Sequence, residues 1–233
     1  YRNPAVLAKT VTTLDIVSGG RAQLGIGAGW FELEHEAFGI EFGTFTDRFE
    51  KLDEALQIIV PMLRGEAVTL DGSRYRTVEA FNEPAPISRI PILIGGSGER
   101  KTLRMVAQYA DAGNTGAEIE ELPRKMAALD EHCERLARDR REIVMSFHRA
   151  VCIAPTREQA QAEFDAWLET SGLDADQQAN ASRRTLIGGP DDVAEQLQRA
   201  LDAGLDGFTV NAIANGHIPG RITLLGETAK ALL

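Results

Sequence analysis

The stretch Ile92-Leu93-Ile94-Gly95-Gly96-Ser97-Gly98-Glu99-Arg100-Lys101-Thr102-Leu103 carries the strongest chemical signal in the sequence, because an apolar strand runs out into glycines and the pattern of a helix follows at once. Glycines let the main chain come close to a ligand, and the unpaired N–H groups and positive dipole end of a helix favour an anion there. A phosphate is therefore expected on the backbone of Gly95, Gly96, Ser97 and Gly98, with Arg100, Lys101 or Arg104 as sources of further positive charge. The run Gly25-Ile26-Gly27-Ala28-Gly29 has another character. It lacks the third glycine of the dinucleotide fingerprint, and its glycines lie within a strand instead of opening a helix. Small residues at a strand end leave room for a flat ring, and Trp30 and Phe31 are expected to form part of a pocket wall that His35 is able to reach.

The other histidines point to less. His132 flanks the buried stripe of a helix and is expected to be exposed; His148 falls inside a β-prone run, where a hydrogen-bonded structural role ranks above catalysis; His217 sits in a Gly/Pro loop with no partner that can be named. Cys133 lies on the stripe Leu122, Met126, Leu129, Cys133, Leu136 and reads as packing, while Cys152 is too far from it in sequence for the pair to suggest a disulfide framework. The sequence holds no His-x-x-x-His, Cys-x-x-Cys, Gly-x-Ser-x-Gly or Walker pattern, so no metal site is expected and thiol, serine-hydrolase and NTPase chemistry lack support. Cofactor chemistry remains, and no side chain is singled out as catalytic.

The elements that must position these residues are legible in outline. Asn3-Pro4 starts a helix carrying Leu7, Val11 and Leu14, and Ser18-Gly19-Gly20 stops it. Arg21 to Gly29 reads as a strand, and Asp47 with Glu50 as the capping box of a helix whose inward face is Leu52, Leu56, Ile59 and Leu63. Asp71-Gly72 centres a hairpin between Ala67 and Val78. Beyond the Ile92–Ile94 strand come a helix, a short strand at Asp111 to Thr115, the Leu122 to Leu136 helix, a strand from Ile143 to Ala154, a helix capped by Thr156 and Gln159, a polar stretch, a helix opened by Gly188-Gly189-Pro190 and a strand from Phe208 to Ile213. Five short apolar strands thus alternate with helices, the signature of parallel β/α architecture. Tyr1-Arg2-Asn3-Pro4 reads as a loop entering a helix, and a closed eight-stranded barrel needs about three more units than are present, so three β/α units are expected to precede this sequence.

Composition sets the outer limits. The 233 residues suit one large domain, and 43% hydrophobic residues supply a full core. With 25 basic against 35 acidic residues the net charge of −10 repels a phosphate backbone, so nucleic acid is not an expected partner. No run approaches the ~20 apolar residues of a bilayer span. Two cysteines fit a reducing compartment, and the expected location is the cytoplasm.

The ordered set Tyr1-Arg2-Asn3-Pro4-Ala5, Ser18-Gly19-Gly20-Arg21, Leu24-Gly25-Ile26-Gly27-Ala28-Gly29-Trp30, Phe38-Gly39-Ile40, Asp71-Gly72-Ser73-Arg74-Tyr75 and Pro91-Ile92-Leu93-Ile94-Gly95-Gly96-Ser97-Gly98 resembles the luciferase-like monooxygenase superfamily across nearly the whole sequence. It is most similar to the branch that uses the 5-deazaflavin coenzyme F420, in which Gly-Gly-Ser-Gly-Glu-Arg and then Thr-Leu-Arg follow barrel strand five. The resemblance implies a (β/α)8 TIM barrel of the bacterial-luciferase type, often a homodimer, with residues 1–233 in one domain and an inserted hairpin region at 65–90. The five strands become strands four to eight. It further implies that Gly95, Gly96, Ser97 and Gly98 hold the cofactor phosphate, that Gly27 and Ala28 lie by the ring, and that Asn114 and Thr115 are additional cofactor-side residues.

The activity implied is hydride transfer between F420 and a small organic substrate. A reduced-FMN-dependent monooxygenase is the alternative, and a non-catalytic flavin-binding protein is the alternative of another class. Two departures bear on the substrate and the acid or base. Sugar-phosphate dehydrogenases of the F420 branch place a carboxylate where this sequence has Ala28, which disfavours that substrate class; members that use a histidine acid or base draw it from an early strand that this sequence does not include.

Overall fold

Helix α1 (Pro4–Ser18) begins where the Asn3 side chain accepts the N–H groups of Ala5 and Val6, and Pro4 occupies the first turn, where a missing N–H costs nothing. It stops at Gly19, whose φ of 69° suits glycine. Residues 1–232 are described by a computed structural model, and they divide into two compact units: residues 1–113 with 131–143, and residues 114–130 with those from 144 onward.

In the first unit α1 is followed by β1 (Leu24–Ile26), α2 (Glu32–Ala37) and α3 (Phe45–Leu63). The capping box of α3 is made by Thr44 and Asp47, three residues earlier than the Asp47–Glu50 pair expected, because Thr44 takes the extended backbone of a cap while Asp47 is already helical. Leu52, Leu56 and Ile59 are buried as their spacing requires, and Ile58, Val60 and Met62 are buried too, so the second half of α3 is enclosed on more than one side. Each such side chain contributes roughly 1.5–3 kcal/mol of burial.

The hairpin β2 (Val68–Asp71) and β3 (Arg76–Ala80) is antiparallel, and its tip is fastened to α3. Glu54 accepts the N–H groups of Ser73, Arg74 and Tyr75 and the Ser73 hydroxyl, each at 2.8 Å. The chain leaving the hairpin is fastened to α1: the fully buried Asp15 carboxylate accepts Ile87 N–H at 2.9 Å, Ser88 N–H at 3.0 Å and Ser88 Oγ at 2.7 Å. The Ser88 hydrogen bonds hold that carboxyl below its ordinary range against the opposing effect of burial. Strand β4 (Ile92–Gly95) then pairs in parallel with β1, Leu24 opposite Ile92 and Ile26 opposite Ile94. Helix α4 (Thr102–Tyr109) starts later than expected, after a turn through Lys101.

Strand β5 (Ala112–Thr115) and helix α5 (Leu122–Arg135) each cross the division between the units. Leu122, Met126, Leu129 and Cys133 are buried as expected, but Leu136 lies past the end of α5 and is 44% exposed.

The second unit is organised by β6 (Val144–Ile153), followed by α6 (Arg157–Thr170), α7 (Ala175–Arg184), β7 (Thr185–Gly188), α8 (Pro190–Asp202), β8 (Gly207–Asn211) and α9 (Arg221–Lys230). Met145, Phe147, Arg149 and Val151 are buried on one face of β6, while Val144 and His148 are exposed on the other. The ten residues of β6 serve two partners, pairing in parallel with β8 along Ser146 to Ala150 and with β7 along Ala150 to Ile153. Strand β7 and helix α7 occupy the stretch expected to be merely polar. No helix among the described residues is long and apolar enough to cross a membrane.

Candidate functional site

Parallel pairing of β1 with β4 makes their two glycine-rich exits emerge side by side. A Cβ placed on Gly27 would stand 3.4 Å from the Gly95 carbonyl oxygen, ordinary van der Waals contact, so the two segments run close together. The β4 exit is exposed at Gly95, Gly96 and Gly98. Gly96 has φ 136°, and a Cβ there would meet the Thr102 methyl at 3.1 Å, whereas nothing lies within 4 Å of the corresponding point on Gly95. Gly98 carbonyl oxygen accepts Leu103 N–H at 3.0 Å, which joins the turn to α4.

The turn carries Glu99 followed by Arg100 and Lys101. Helix α4 has no acidic residue in its first turn and no side-chain cap. Lys101 Nζ lies over the rings of Phe45 and Phe49, 5.0 and 5.3 Å from their centroids, and Arg104 reaches Asp53 at 3.4 Å. His132, expected to be exposed, is instead half-buried, with Nε2 2.8 Å from the Glu99 carbonyl oxygen, and so braces the outer side of the turn.

The β1 exit is braced from α3. Arg48 donates to the carbonyl oxygens of Gly29 at 3.2 Å and Gly43 at 3.0 Å, and its guanidinium lies 3.8 Å from the Phe42 ring centroid. A cavity of about 770 Å³ opens beside this exit, with Tyr1, Gly27, Ala28, His35, Arg48 and Tyr75 among its walls. His35 is only 5% exposed. Trp30 and Phe31 are not among the wall residues; Trp30 is 83% exposed, because Gly29 at φ 78° turns the chain before the aromatic pair. Arg48 and Tyr75 were not expected here. A motif around Tyr75 was visible, but nothing in sequence spacing marks Arg48.

Asn114 and Thr115 are placed on opposite faces of β5. Asn114 Nδ2 donates to Ser146 Oγ at 2.8 Å and Thr209 Oγ1 at 3.0 Å, on the face where His148 Nδ1 also lies 3.2 Å from Thr209 Oγ1. The Thr115 side chain is fully buried and accepts Ala117 N–H at 3.3 Å. His217 is exposed. The two cysteines are buried and unpaired with each other, and burial pushes the Cys152 thiol up to about 12. Among the described residues no group of three or more His, Cys, Asp or Glu is arranged to hold a metal ion.

Parallel strands whose C-terminal ends carry glycine turns beside a cavity define a ligand-binding β/α enzyme architecture. The profile of the luciferase-like monooxygenase family matches residues 1–207, and the chain belongs to that family. A relative in Nocardia farcinica, an F420-dependent glucose-6-phosphate dehydrogenase, is 30% identical over 90% of this chain and 69% of its own length. An enzyme of the same name in Microbacterium testaceum is 28% identical over 87% of this chain and 66% of its own length. This chain thus spans about two thirds of the length of these curated relatives. A solved structure of an F420-dependent secondary alcohol dehydrogenase in complex with an F420-acetone adduct superposes with a TM-score of 0.79 at 18% identity, covering 99% of this chain and 76% of that one. That likeness is one of fold and places the chain in the luciferase-like TIM-barrel class.

Proposed function

We propose that the chain acts as an F420-dependent oxidoreductase that passes a hydride between coenzyme F420 and a small organic substrate. Relatives that carry F420 dependence in their names support the cofactor. The observation that carries the reading is the Gly95–Gly98 turn, an exposed glycine backbone ahead of a helix start free of acidic residues and flanked by Lys101 and Arg104. The cofactor's phosphate fits such a turn, because an anion meets main-chain N–H groups and a helix dipole there, and the single carboxylate of the turn, Glu99, is followed directly by Arg100 and Lys101.

When bound, F420 supplies a ring carbon that takes up or releases a hydride. The chain's own contribution is positioning. Gly95, Gly96, Ser97 and Gly98 hold the phosphate; Gly27 and Ala28 leave space by the ring; Arg48 keeps the β1 exit in place through the carbonyl oxygens of Gly29 and Gly43. The substrate is read as something other than a sugar phosphate, since Ala28 stands where the resemblance implies a carboxylate. We read the chain as a single barrel domain with an insertion at 65–90, acting on a small molecule as a cytoplasmic homodimer.

Fluorescence titration with F420 and with FMN tests the cofactor. Saturable quenching by F420, with no F420 reduction on adding glucose 6-phosphate, is the expected outcome. Tight FMN binding without F420 binding replaces this reading with the reduced-FMN monooxygenase that the family's description favours.

A further inference from the structure

The surroundings of His35 determine which of its ring nitrogens carries hydrogen. Nδ1 lies 2.9 Å from the Phe31 carbonyl oxygen and 3.1 Å from the Tyr1 hydroxyl oxygen. A carbonyl oxygen can only accept. The Tyr1 hydroxyl has one hydrogen, and that hydrogen is given to the Glu34 carboxylate at 2.7 Å; the same hydrogen bond holds the phenol above its ordinary value. Toward His35 the hydroxyl therefore offers a lone pair as well. Both neighbours demand a hydrogen on Nδ1, which in a neutral imidazole leaves Nε2 bare.

The ring is also fixed in place. Tyr1 and Phe42 approach it edge-on, with centroids at 4.6 and 4.8 Å, and Phe42 is in turn covered by Arg48. The edge bearing Cε1 and Nε2 lies along Gly29, 3.1 and 3.3 Å from where a Cβ would stand, so only glycine lets the ring sit against this wall of the cavity. Among the described residues no protein group is hydrogen-bonded to Nε2. Arg48, which also lines the cavity, is engaged with two carbonyl oxygens.

We infer that His35 presents a bare Nε2 to the cavity as a hydrogen-bond acceptor, and that the cavity takes a ligand bearing a hydroxyl group there. The inference rests on the cavity being the substrate side of the function proposed above, and it makes His35 a specificity-determining residue that selects an alcohol over the matching ketone.

Nitrogen-15 NMR of the histidine rings in the intact protein, without cofactor, tests it. The sequence has four histidines, so substitution of His132, His148 and His217 assigns His35 by elimination even if His35→Gln does not fold. The expected spectrum has a pyrrole-type nitrogen at δ1 and a pyridine-type nitrogen at ε2. Added 2-propanol should move the ε2 signal upfield in a saturable way, and acetone, which has the same skeleton and no donor hydrogen, should leave it in place. The opposite tautomer, a doubly protonated ring, or an ε2 signal that ignores 2-propanol overturns the inference. None of these readouts involves F420, so failure here leaves the cofactor assignment standing, and failure of F420 to bind leaves this result intact.

Discussion

Two strand-to-helix turns in this chain use nearly the same letters, Gly95-Gly96-Ser97-Gly98 after β4 and Gly188-Gly189-Pro190 after β7, yet their surroundings differ. In the second, Asp192 folds back so that its carboxylate accepts Gly189 N–H at 2.9 Å, and Arg157 pairs with the same carboxylate. The protein has placed its own anion at the start of α8. A Cβ on Gly188 would stand 2.4 Å from Asp192 Cβ, so that glycine exists to admit a side chain of the chain itself. In the other, the opening turn of α4 from Thr102 has no acidic residue, Glu99 being the one carboxylate ahead of it, and nothing lies within 4 Å of where a Cβ on Gly95 would stand. The proposed phosphate site depends on this contrast: a glycine turn at a helix start is available to a ligand only where the following residues do not fill it, as Asp192 fills the second turn.

This contrast can be broken at either end. The largest effect should come from Gly188→Ala, whose added methyl overpacks against Asp192 and should cost about 2 kcal/mol of stability, read from the urea midpoint, with F420 affinity unchanged. Gly96→Ala should act the other way round. Its φ of 136° and the Thr102 methyl force the backbone to shift, so F420 should bind roughly tenfold more weakly in a fluorescence titration, a loss of about 1.4 kcal/mol.

Asp192→Asn sharpens the comparison through pH. The Gly189 N–H, and after it Arg157, hold this carboxyl below its ordinary range. A carboxyl depressed by folding stabilises the folded state above its unfolded pKa, and the stabilisation is lost as acid protonates it through the lower folded value. The wild type should therefore lose stability on acidification by a component that Asp192→Asn lacks, measured by urea unfolding from pH 6 downward, with a smaller effect than Gly188→Ala. The smallest effect belongs to Gly95→Ala, which meets nothing within 4 Å and should change stability by less than about 0.5 kcal/mol while still weakening F420.

Local signals in the sequence located the elements whose cause is local. The Asp71-Gly72 hairpin, the Thr156 cap and the buried stripe of α5 up to Cys133 follow from turn chemistry and periodicity alone. Helix α7 escaped because none of its residues is buried and only its Asp174–Gln177 capping box betrays it. Strand β7 escaped because it follows α7 with no turn residue between them.

The site was legible where it is main chain and obscure where it is side chain. Glycines announced both strand exits. Arg48 bonding Gly29 across nineteen positions, or Glu54 gathering the hairpin tip, is a consequence of tertiary placement that no spacing rule encodes. Trp30 and Phe31 show the same limit: an aromatic pair after a strand reads as a pocket wall, while its exposure, 83% at Trp30, follows from the left-handed turn at Gly29.

Backbone amide NMR during addition of F420 addresses the central claim most directly, since it compares the two turns in one spectrum. The expected result is that the N–H signals of Gly96 and Gly98 move most while that of Gly189, already bonded to Asp192, stays where it is. Silence at Gly96 and Gly98 with F420 demonstrably bound would contradict the assignment of the phosphate to the β4 turn.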